Sequence, residues 1–289
     1  MKKIAILGCE NSHANWFLRF IKEKEEFSDV EVAGVYSDDR ESAEKLKDEF
    51  GVPVMDGYAD AVGKVDGIIV TARHGNNHYK YAKPYIESGI PMFIDKPITI
   101  SESDVTEFVT ALEKNGVRVS GGSSLKQDVN VQKLRQDVLN EEGGKTLGGY
   151  VRAPLSLENA YGGFYFYAQH LVEMVCEIFG RFPISVTAKQ TGGLINVLFH
   201  YEEYDCVGLY CNESYLYFVS RMADKTTSSY EIPNSHDWYY TEFKEFYGLL
   251  NGDAQPLAYD EFASPVFVLN AIDRSLKSGK EEPVGRLTL

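Results

Sequence analysis

The sequence of 289 residues is poor in basic side chains. Its 29 lysines and arginines face 43 aspartates and glutamates, which gives a formal net charge of −14 at pH 7 and leaves no cationic cluster for a nucleic acid. The chain also lacks an apolar run of about 18 residues, the length that a membrane-spanning helix needs. Only four apolar residues lie between the two lysines at the start and Gly8, too few for a signal-peptide core. We therefore expect a cytoplasmic protein with no nucleic-acid and no membrane partner.

Cysteine is scarce as well. The four cysteines are scattered without CxxC spacing, which disfavours both a disulfide framework and a structural zinc site. The spacing of His74 and His78 would allow a metal site, but no carboxylate or cysteine lies close to them in sequence. We expect no metal.

The first 123 residues alternate between short apolar runs and amphipathic stretches. This pattern is typical of a parallel sheet with helices on both faces. The apolar runs that we interpret as strands are residues 3–8, 30–37, 66–72, 91–97 and 117–122, and the stretches between them predict helices at 14–24, 40–50, 77–88 and 101–115. The sequence therefore predicts an α/β domain of the Rossmann type, with a doubly wound parallel sheet, over residues 1–123.

The pattern changes after residue 125. A connecting helix at 129–140 and a glycine-rich turn precede a strand at 150–155, and a further helix is predicted at 166–179. Four alternating runs with short polar turns then predict an antiparallel meander, at residues 183–190, 194–201, 205–212 and 214–222. Helices at 239–250 and 260–277 complete the pattern. We expect an α+β domain with an open, mostly antiparallel sheet over residues 124–289, serving substrate binding and oligomerisation.

The loop GCENSH at residues 8–13 stands between the first predicted strand and helix, where a Rossmann GxGxxG fingerprint would be. Only the first glycine, Gly8, is present. Glu10 and His13 occupy the other two glycine positions, and a carboxylate near the pyrophosphate adds like-charge repulsion. A tight turn with Ser12 as helix N-cap explains the loop equally well. Taken alone, the loop is weak support for a dinucleotide.

The end of the second predicted strand bears on the choice of cofactor. An acid at this place binds the ribose hydroxyls of NAD, whereas a small residue with a base suits the 2′-phosphate of NADP. Ser37 stands where the acid would align, and Asp38 follows it as a candidate for the ribose diol. Because Asp38 and Asp39 disfavour a 2′-phosphate, we prefer NAD to NADP. A solvated turn before the next helix is the structural alternative.

Two motifs follow neighbouring strands at the carboxyl edge of the predicted sheet. TARHGNNH begins at Thr71 and ends at His78, and FIDKPIT contains Asp95 and Lys96. The pair resembles the TPNxxH and EKP motifs of the glucose-fructose oxidoreductase/inositol dehydrogenase/MocA family, with Asp95 in place of the usual glutamate. The resemblance implies that Lys96 reaches a substrate hydroxyl beside the nicotinamide. Without this context, a lysine at a strand end is usually a solvated charge.

The resemblance continues beyond the first domain. Residues 119–138 look like the family's transition helix, in which a basic residue matching Lys126 lines the substrate pocket. YGGFYFYAQHLVEMVCEIFG, from Tyr161, resembles the family's GGGxLxDxGxHxxD stretch, and His170 matches the catalytic histidine. Phe166 stands where the catalytic aspartate would be.

His170 therefore needs another partner. Tyr165, Tyr167 and Glu173 are the candidates that the sequence offers for a hydrogen bond to it. A lone histidine on a helix that faces a sheet is otherwise more often a satisfied core residue. Tyr165 and Tyr167 would also suit a hydroxyl-rich ligand, although aromatic packing explains them equally well.

The resemblance implies an NAD(P)-dependent oxidoreductase. It would transfer hydride between the cofactor and a secondary alcohol of a sugar, polyol or related hydroxy compound, with His170 as general base and Lys96 polarising the reacting oxygen. The residues expected to bind cofactor are Gly8, Glu10, Asn11, Ser12, His13, Ser37, Asp38, Thr71, His78, Asp95 and Lys96, and those expected to bind substrate are Lys126, Tyr165 and Tyr167.

Three further expectations remain open from the sequence. A non-catalytic sensor on the same scaffold would explain Glu10, His13 and Phe166, and a redox-neutral glycoside hydrolase with a tightly held NAD would also use Lys96 and His170. We further expect a homodimer or homotetramer built through the C-terminal sheet. Its open face is predicted to carry the apolar side chains Val197, Phe199, Leu216 and Phe218.

Overall fold

The computed structural model describes residues 1–287 and divides them into two compact units. The first unit contains Met1–Thr99, Ser103–Gly122 and His236–Tyr259, and the second contains Ile100–Glu102, Ser123–Ser235 and the chain from Asp260 onward. The chain leaves the first unit after Gly122 and returns to it for one helix. This return was not predicted, because the sequence placed all residues after 123 in the second domain.

The regular elements follow in chain order. The strands are β1 (Lys2–Leu7), β2 (Val30–Tyr36), β3 (Gly67–Val70), β4 (Met92–Asp95), β5 (Val119–Gly122), β6 (Thr146–Leu155), β7 (Ser185–Thr191), β8 (Leu194–His200), β9 (Asp205–Asn212), β10 (Tyr217–Ala223), β11 (Thr227–Ile232) and β12 (Glu282–Pro283). The helices are α1 (Ser12–Glu23), α2 (Arg40–Phe50), α3 (Asn76–Ala82), α4 (Glu102–Lys114), α5 (Val129–Leu139), α6 (Tyr165–Phe179), α7 (Asp237–Leu250) and α8 (Tyr259–Ser278). Short 3-10 turns cover Glu25–Phe27, Lys83–Ser88 and Ser124–Gln127.

The first unit has a parallel sheet in the order β2-β1-β3-β4-β5. The predicted Rossmann-type sheet is confirmed, and its strand ends all meet at the carboxyl edge, where doubly wound folds bind ligands. The helix α7 belongs to this unit because its aromatic side chains join the core. Phe243 lies 5.2 Å from Phe17 and 4.8 Å from Phe27, measured between ring centroids.

The second unit has a seven-stranded sheet in the order β11-β10-β6-β9-β8-β7-β12. The predicted antiparallel meander is confirmed for β7, β8 and β9. It is wrong for β10, because β6 lies between β9 and β10 and pairs with β9 in parallel. Side-chain alternation predicts a strand but does not determine which partner from a distant part of the chain pairs with it. Strand β11 was not predicted, because its sequence TSSYEI is mostly polar and shows no apolar alternation.

One face of the second sheet is covered by helix α6. Val197 and Phe199 lie on this covered face, with exposures of 1% and 0%, so their predicted place on the open face was wrong. A side chain at Gly208 would meet both Leu171 of α6 and Phe199, which shows how close the helix lies. The opposite face carries the exposed side chains of Leu194, Val207 and Met222 and the half-buried Phe218.

Candidate functional site

The loop after β1 is tied to the neighbouring strands by its backbone. Gly8 has a φ of +72°, and a Cβ there would lie 2.5 Å from the backbone of Ala72. Its N–H donates to the carbonyl of Tyr36, and its own carbonyl accepts from Thr71 Oγ1 at 3.1 Å. Only glycine combines this conformation with this close approach. The first position of the fingerprint is therefore a true close-approach glycine.

Helix α1 begins one residue after its cap. The N-cap is Asn11, whose Oδ1 accepts from the backbone N–H of Ser12 at 2.7 Å. The predicted cap at Ser12 was therefore one residue late, and Ser12 is exposed. The first turn of α1 contains no acidic side chain. The partial positive charge at this helix end is therefore not neutralised from within the helix.

Glu10 joins the ends of two strands through its carboxylate. Its Oε2 accepts a hydrogen bond from Ser37 Oγ at 2.7 Å, just after β2. Its Oε1 accepts from the backbone N–H of Arg73 at 3.0 Å, in the loop after β3. The carboxylate at the second glycine position is thus tied to these two groups. Sequence reasoning identified the charge of Glu10 but gave no sign of these partners.

Asp38 is satisfied by side chains of its own neighbourhood. It accepts from the hydroxyl of Tyr36 at 2.5 Å and lies 3.5 Å from Lys80 Nζ. The Tyr36 hydrogen bond is the main reason why the pKa of Asp38 is lowered, and the same bond helps to raise the pKa of Tyr36 to about 12. Asp39 caps α2 by accepting from the backbone N–H of Ser42.

His13 lies between two buried carboxylates. Its Nδ1 is 3.2 Å from Asp95 Oδ2 and its Nε2 is 3.2 Å from Glu242 Oε2. Burial alone would lower the pKa of His13. The attraction of Asp95 and Glu242 outweighs burial, so the pKa is raised. No sequence motif indicated Glu242, which comes from α7.

Asp95 connects this histidine to the lysine of the DKP motif. Its Oδ2 accepts from Asn11 Nδ2 at 2.6 Å, and its Oδ1 accepts from the backbone N–H of Lys96 at 2.7 Å. Lys96 itself is buried. Burial lowers the pKa of Lys96, and the charge of Asp95 opposes this effect. The structure thus places Asn11 and His13 against Asp95, whose carboxylate also binds the backbone of Lys96.

His78 has a structural role in the same unit. It is fully buried, and its Nε2 lies 2.7 Å from the carbonyl oxygen of Ala72. Burial lowers its pKa, so the ring is neutral, and Nε2 must carry the proton because a carbonyl can only accept. Among residues 1–287, no group of three or more His, Cys, Asp or Glu side chains could hold a metal ion.

His170 in the second unit contacts Ser123. Its Nδ1 lies 2.6 Å from Ser123 Oγ, and the backbone N–H of Ser123 donates to Glu173 Oε1 at 3.3 Å. The ring of Tyr167 meets His170 edge-on at 5.3 Å. Of the candidate partners, Tyr167 therefore contacts the His170 ring. Glu173 accepts a hydrogen bond from the backbone of Ser123, the residue whose hydroxyl contacts His170. Ser123 was missed because it lies 47 residues before His170 in sequence, and only the fold brings the two side chains together.

Three other residues from the sequence analysis lie on the elements next to Ser123 and His170: Tyr165 and Phe166 on α6, and Lys126 on the 3-10 turn that follows Ser123. Phe166 packs its ring against Tyr161 and Tyr167. Tyr165 donates its hydroxyl to Asn270 of α8 at 3.4 Å, and burial raises the pKa of that hydroxyl. Lys126 is buried in the 3-10 turn that Ser123 caps by accepting from the N–H of Leu125.

Ser123 therefore links the turn that carries Lys126 to the helix that carries His170. In the second unit, these two predicted residues therefore lie on elements that both contact the hydroxyl of Ser123.

The first unit has the features that a dinucleotide requires at its phosphate loop. Gly8 allows close approach, α1 presents an amino end without acidic side chains, and Glu10 is drawn aside to Ser37 and Arg73. The residues present fit an NAD-type cofactor, with Gly8 and the start of α1 as its phosphate-binding groups.

Comparison with known proteins agrees with this geometry. Residues 2–123 match the Gfo/Idh/MocA family model, described as an oxidoreductase family with an NAD-binding Rossmann fold. None of the curated proteins matches the chain. None of the helices among the described residues is both long and apolar enough to cross a membrane.

Several solved structures share the fold over 98–100% of the chain. Myo-inositol 2-dehydrogenase from Lactobacillus plantarum is 14% identical with a TM-score of 0.83, covering 98% of this chain and 99% of that one. The WlbA dehydrogenase from Chromobacterium violaceum, in complex with NADH and UDP-GlcNAcA, is 14% identical with a TM-score of 0.82, covering 98% and 96%. GenD2 from gentamicin A biosynthesis, in complex with NAD, is 15% identical with a TM-score of 0.83, covering 100% and 97%.

At these identities the solved structures establish a common fold, and the family match adds the lineage of the first domain. Residues 2–123 thus match the glucose-fructose oxidoreductase/inositol dehydrogenase/MocA oxidoreductase family, which bears out the resemblance of the sequence motifs over this part of the chain.

Proposed function

We propose that this protein is an NAD-dependent dehydrogenase acting on a secondary alcohol of a sugar, polyol or related hydroxy compound. The observation that carries the proposal is the buried Lys96, whose neighbour Asp95 is fixed by Asn11 and lies beside His13. Burying a cation is costly, so a lysine held in such a place is a strong candidate for a functional group. When bound, the nicotinamide accepts or donates the hydride.

Lys96 would stabilise the oxygen of the substrate as it becomes a carbonyl. A fixed cation in a site that excludes water stabilises negative charge more strongly than a solvated one. Asp95 favours the charged form of Lys96, because its attraction opposes the lowering of the lysine pKa by burial. The contacts of Asp95 with Asn11 and His13 position that carboxylate, and through it the lysine backbone.

His170 would act as the general base. In the tautomer whose Nδ1–H donates to Ser123 Oγ, Nε2 is the basic nitrogen that would take the proton of the substrate hydroxyl. Ser123 is then a positioning residue that takes over the orienting role of the missing carboxylate. The buried Lys126, on the turn capped by Ser123, is the candidate to bind a further substrate hydroxyl.

A non-catalytic binding protein is the second candidate, and Phe166 is the observation that favours it. Phe166 packs against Tyr161 and Tyr167, so an aromatic cluster has replaced the carboxylate four residues before His170. A protein that binds the cofactor without turnover would need neither a base nor its aspartate.

One experiment separates the two candidates. The full chain is titrated with NADH and NADPH by nicotinamide fluorescence and then screened with polyols and sugars in the presence of NAD. A dehydrogenase gives saturable binding and turnover, and Lys96→Ala and His170→Ala remove turnover while the fold is retained. Binding without turnover on any substrate supports the binding protein. A folded protein that binds neither nucleotide contradicts the dehydrogenase.

We further propose that the second unit forms a homo-oligomer through the open face of its sheet. Leu194, Val207 and Met222 are all exposed on this face, and exposed apolar side chains on one face of a sheet favour a partner surface. Light scattering of the wild-type protein should give a dimer or tetramer, and Val207→Lys should lower the mass. A wild-type monomer at micromolar concentration would contradict the proposal.

A further inference from the structure

The position that reads the ribose lacks an acid in this protein. In Rossmann domains that bind NAD, an acid at the end of the second strand accepts a hydrogen bond from the ribose 2′-hydroxyl. Here β2 ends at Tyr36 and the next residue is Ser37. A serine hydroxyl supplies neither the charge nor the paired acceptors of a carboxylate.

A carboxylate nevertheless lies at this position, and it comes from the phosphate loop. Oε2 of Glu10 is 2.7 Å from Ser37 Oγ, within one hydrogen bond of the side chain that stands in the acid's place. The second oxygen is held by the backbone N–H of Arg73 at 3.0 Å. Two contacts from two different strand ends fix the orientation of Glu10 before any ligand arrives.

The carboxylate of Glu10 keeps capacity for further hydrogen bonds. An ionised carboxylate offers about four lone-pair sites, and the contacts with Ser37 and Arg73 use two of them. A ribose diol presents two hydroxyl donors. The remaining capacity of Glu10 therefore matches what a diol requires.

The other two acids at this strand end have local roles. Asp38 accepts from Tyr36 and pairs with Lys80. Asp39 caps α2 through Ser42. Asp39 also contacts Ser37, but through its backbone N–H, whereas Glu10 places its carboxylate against the Ser37 hydroxyl.

We propose that Glu10 selects the cofactor: it accepts a hydrogen bond from the 2′-hydroxyl of the adenosine ribose of NAD, and its charge rejects the 2′-phosphate of NADP. The proposal rests on the NAD binding proposed above and adds its specificity. The second glycine of the fingerprint has then been exchanged for a residue with a different task. Glu10 binds the ribose from its position in the loop. The contacts with Ser37 and the backbone of Arg73 restrict the rotation of the Glu10 side chain.

Direct binding tests this role without any substrate. Dissociation constants of NADH and NADPH are measured by nicotinamide fluorescence for the wild type, Glu10→Gln and Asp39→Asn. The wild type should prefer NADH, and Glu10→Gln should reduce the ratio of NADPH to NADH dissociation constants by about ten- to a hundredfold, the usual weight of a charge-assisted hydrogen bond. Asp39→Asn removes the same charge nearby while asparagine keeps the helix cap, and it should leave the ratio within about threefold.

A rescue variant guards against a merely structural effect of Glu10→Gln. Adding Ser37→Asp to Glu10→Gln puts the acid back at the end of β2, and the NADH preference should return. An unchanged ratio in Glu10→Gln overturns the assignment of Glu10, as does a loss of selectivity that appears in Asp38→Asn instead. A wild-type protein that is folded and binds neither nucleotide would overturn the proposed function as well, so the two failures are distinct.

Discussion

Ser123 Oγ lies 2.6 Å from Nδ1 of His170, so the hydroxyl of the residue that follows β5 contacts the ring that the family resemblance marks as catalytic. The contact joins two elements that are 47 residues apart in sequence. A neutral hydroxyl can orient an imidazole as a carboxylate does, but it does not stabilise the imidazolium by charge. In the proposed dehydrogenase, Ser123 would therefore supply the orientation that the family's aspartate provides, without its charge.

Removing the Ser123 hydroxyl should affect His170 before it affects the fold. In Ser123→Ala we expect the preference for the Nδ1–H tautomer to weaken and turnover to fall roughly tenfold or more, because the base loses its orientation. The tautomer is read from the nitrogen chemical shifts of His170 in NMR spectra of labelled protein. Ser123→Thr keeps a hydroxyl and should retain the wild-type shifts. Identical shifts in the alanine variant would show that Ser123 does not position the ring.

Restoring the family carboxylate should raise the pKa of His170. In Phe166→Asp the new side chain lies four residues before His170 on α6, and residues at this spacing share a helix face. The carboxylate favours the imidazolium, so the NMR titration midpoint of His170 should move to higher pH.

Phe166→Leu serves as the control for this variant. It also removes the ring that packs against Tyr161 and Tyr167, but it adds no charge. Both variants should lose about 1–2 kcal/mol of stability. A midpoint that shifts equally in the two would exclude the charge as the cause.

The contribution of His13 to stability should depend on pH. The pKa of His13 is raised in the folded protein by Asp95 and Glu242, so the folded state binds this proton more tightly than the unfolded state. Its contribution to the free energy of unfolding is complete below the ordinary histidine pKa of about 6.5 and is lost as the pH rises through the folded-state pKa. His13→Gln should therefore be destabilising at pH 6 and less so at pH 9, as measured by urea unfolding.

His78 provides the opposite control. Burial lowers its pKa, so its contribution is present above about pH 6.5 and is lost as the pH falls through the folded-state pKa. The deficit of His78→Gln should shrink on acidification, whereas that of His13→Gln should grow. A His13→Gln deficit that is larger at pH 9 than at pH 6 would contradict the raised pKa.

Gly121 should tolerate no side chain. Its φ is +126°, and a Cβ there would lie 1.9 Å from the carbonyl oxygen of Ile94 in the neighbouring strand β4. We expect Gly121→Ala to cost about 3 kcal/mol or more, because backbone strain and a clash with fixed backbone act together. In Gly51→Ala, φ is +74° but no atom lies within 4 Å, so only the strain of about 1 kcal/mol remains. Equal losses of stability in urea unfolding would show that the strands can separate.

The sequence alone was sufficient for the elements of the first unit. Strands β1 to β5 and helix α2 lie where the apolar runs and the amphipathic stretch placed them, because side-chain periodicity is a local property that burial enforces residue by residue. The family resemblance likewise followed from short contiguous motifs, and the match over residues 2–123 bears it out.

Only the tertiary structure decided what surrounds the predicted residues. Glu242 meets His13 because α7 returns to the first unit, and Ser123 meets His170 because the fold of the second unit brings the turn Ser124–Gln127 and α6 together. Glu10 was read from the sequence as an isolated charge, but its carboxylate is held by Ser37 and by the backbone of Arg73. These contacts join residues 27 to 229 positions apart in sequence, as the numbering of each pair shows. Local patterns specify which face of an element is buried, whereas the partners of a polar side chain depend on chain crossings that no local pattern encodes.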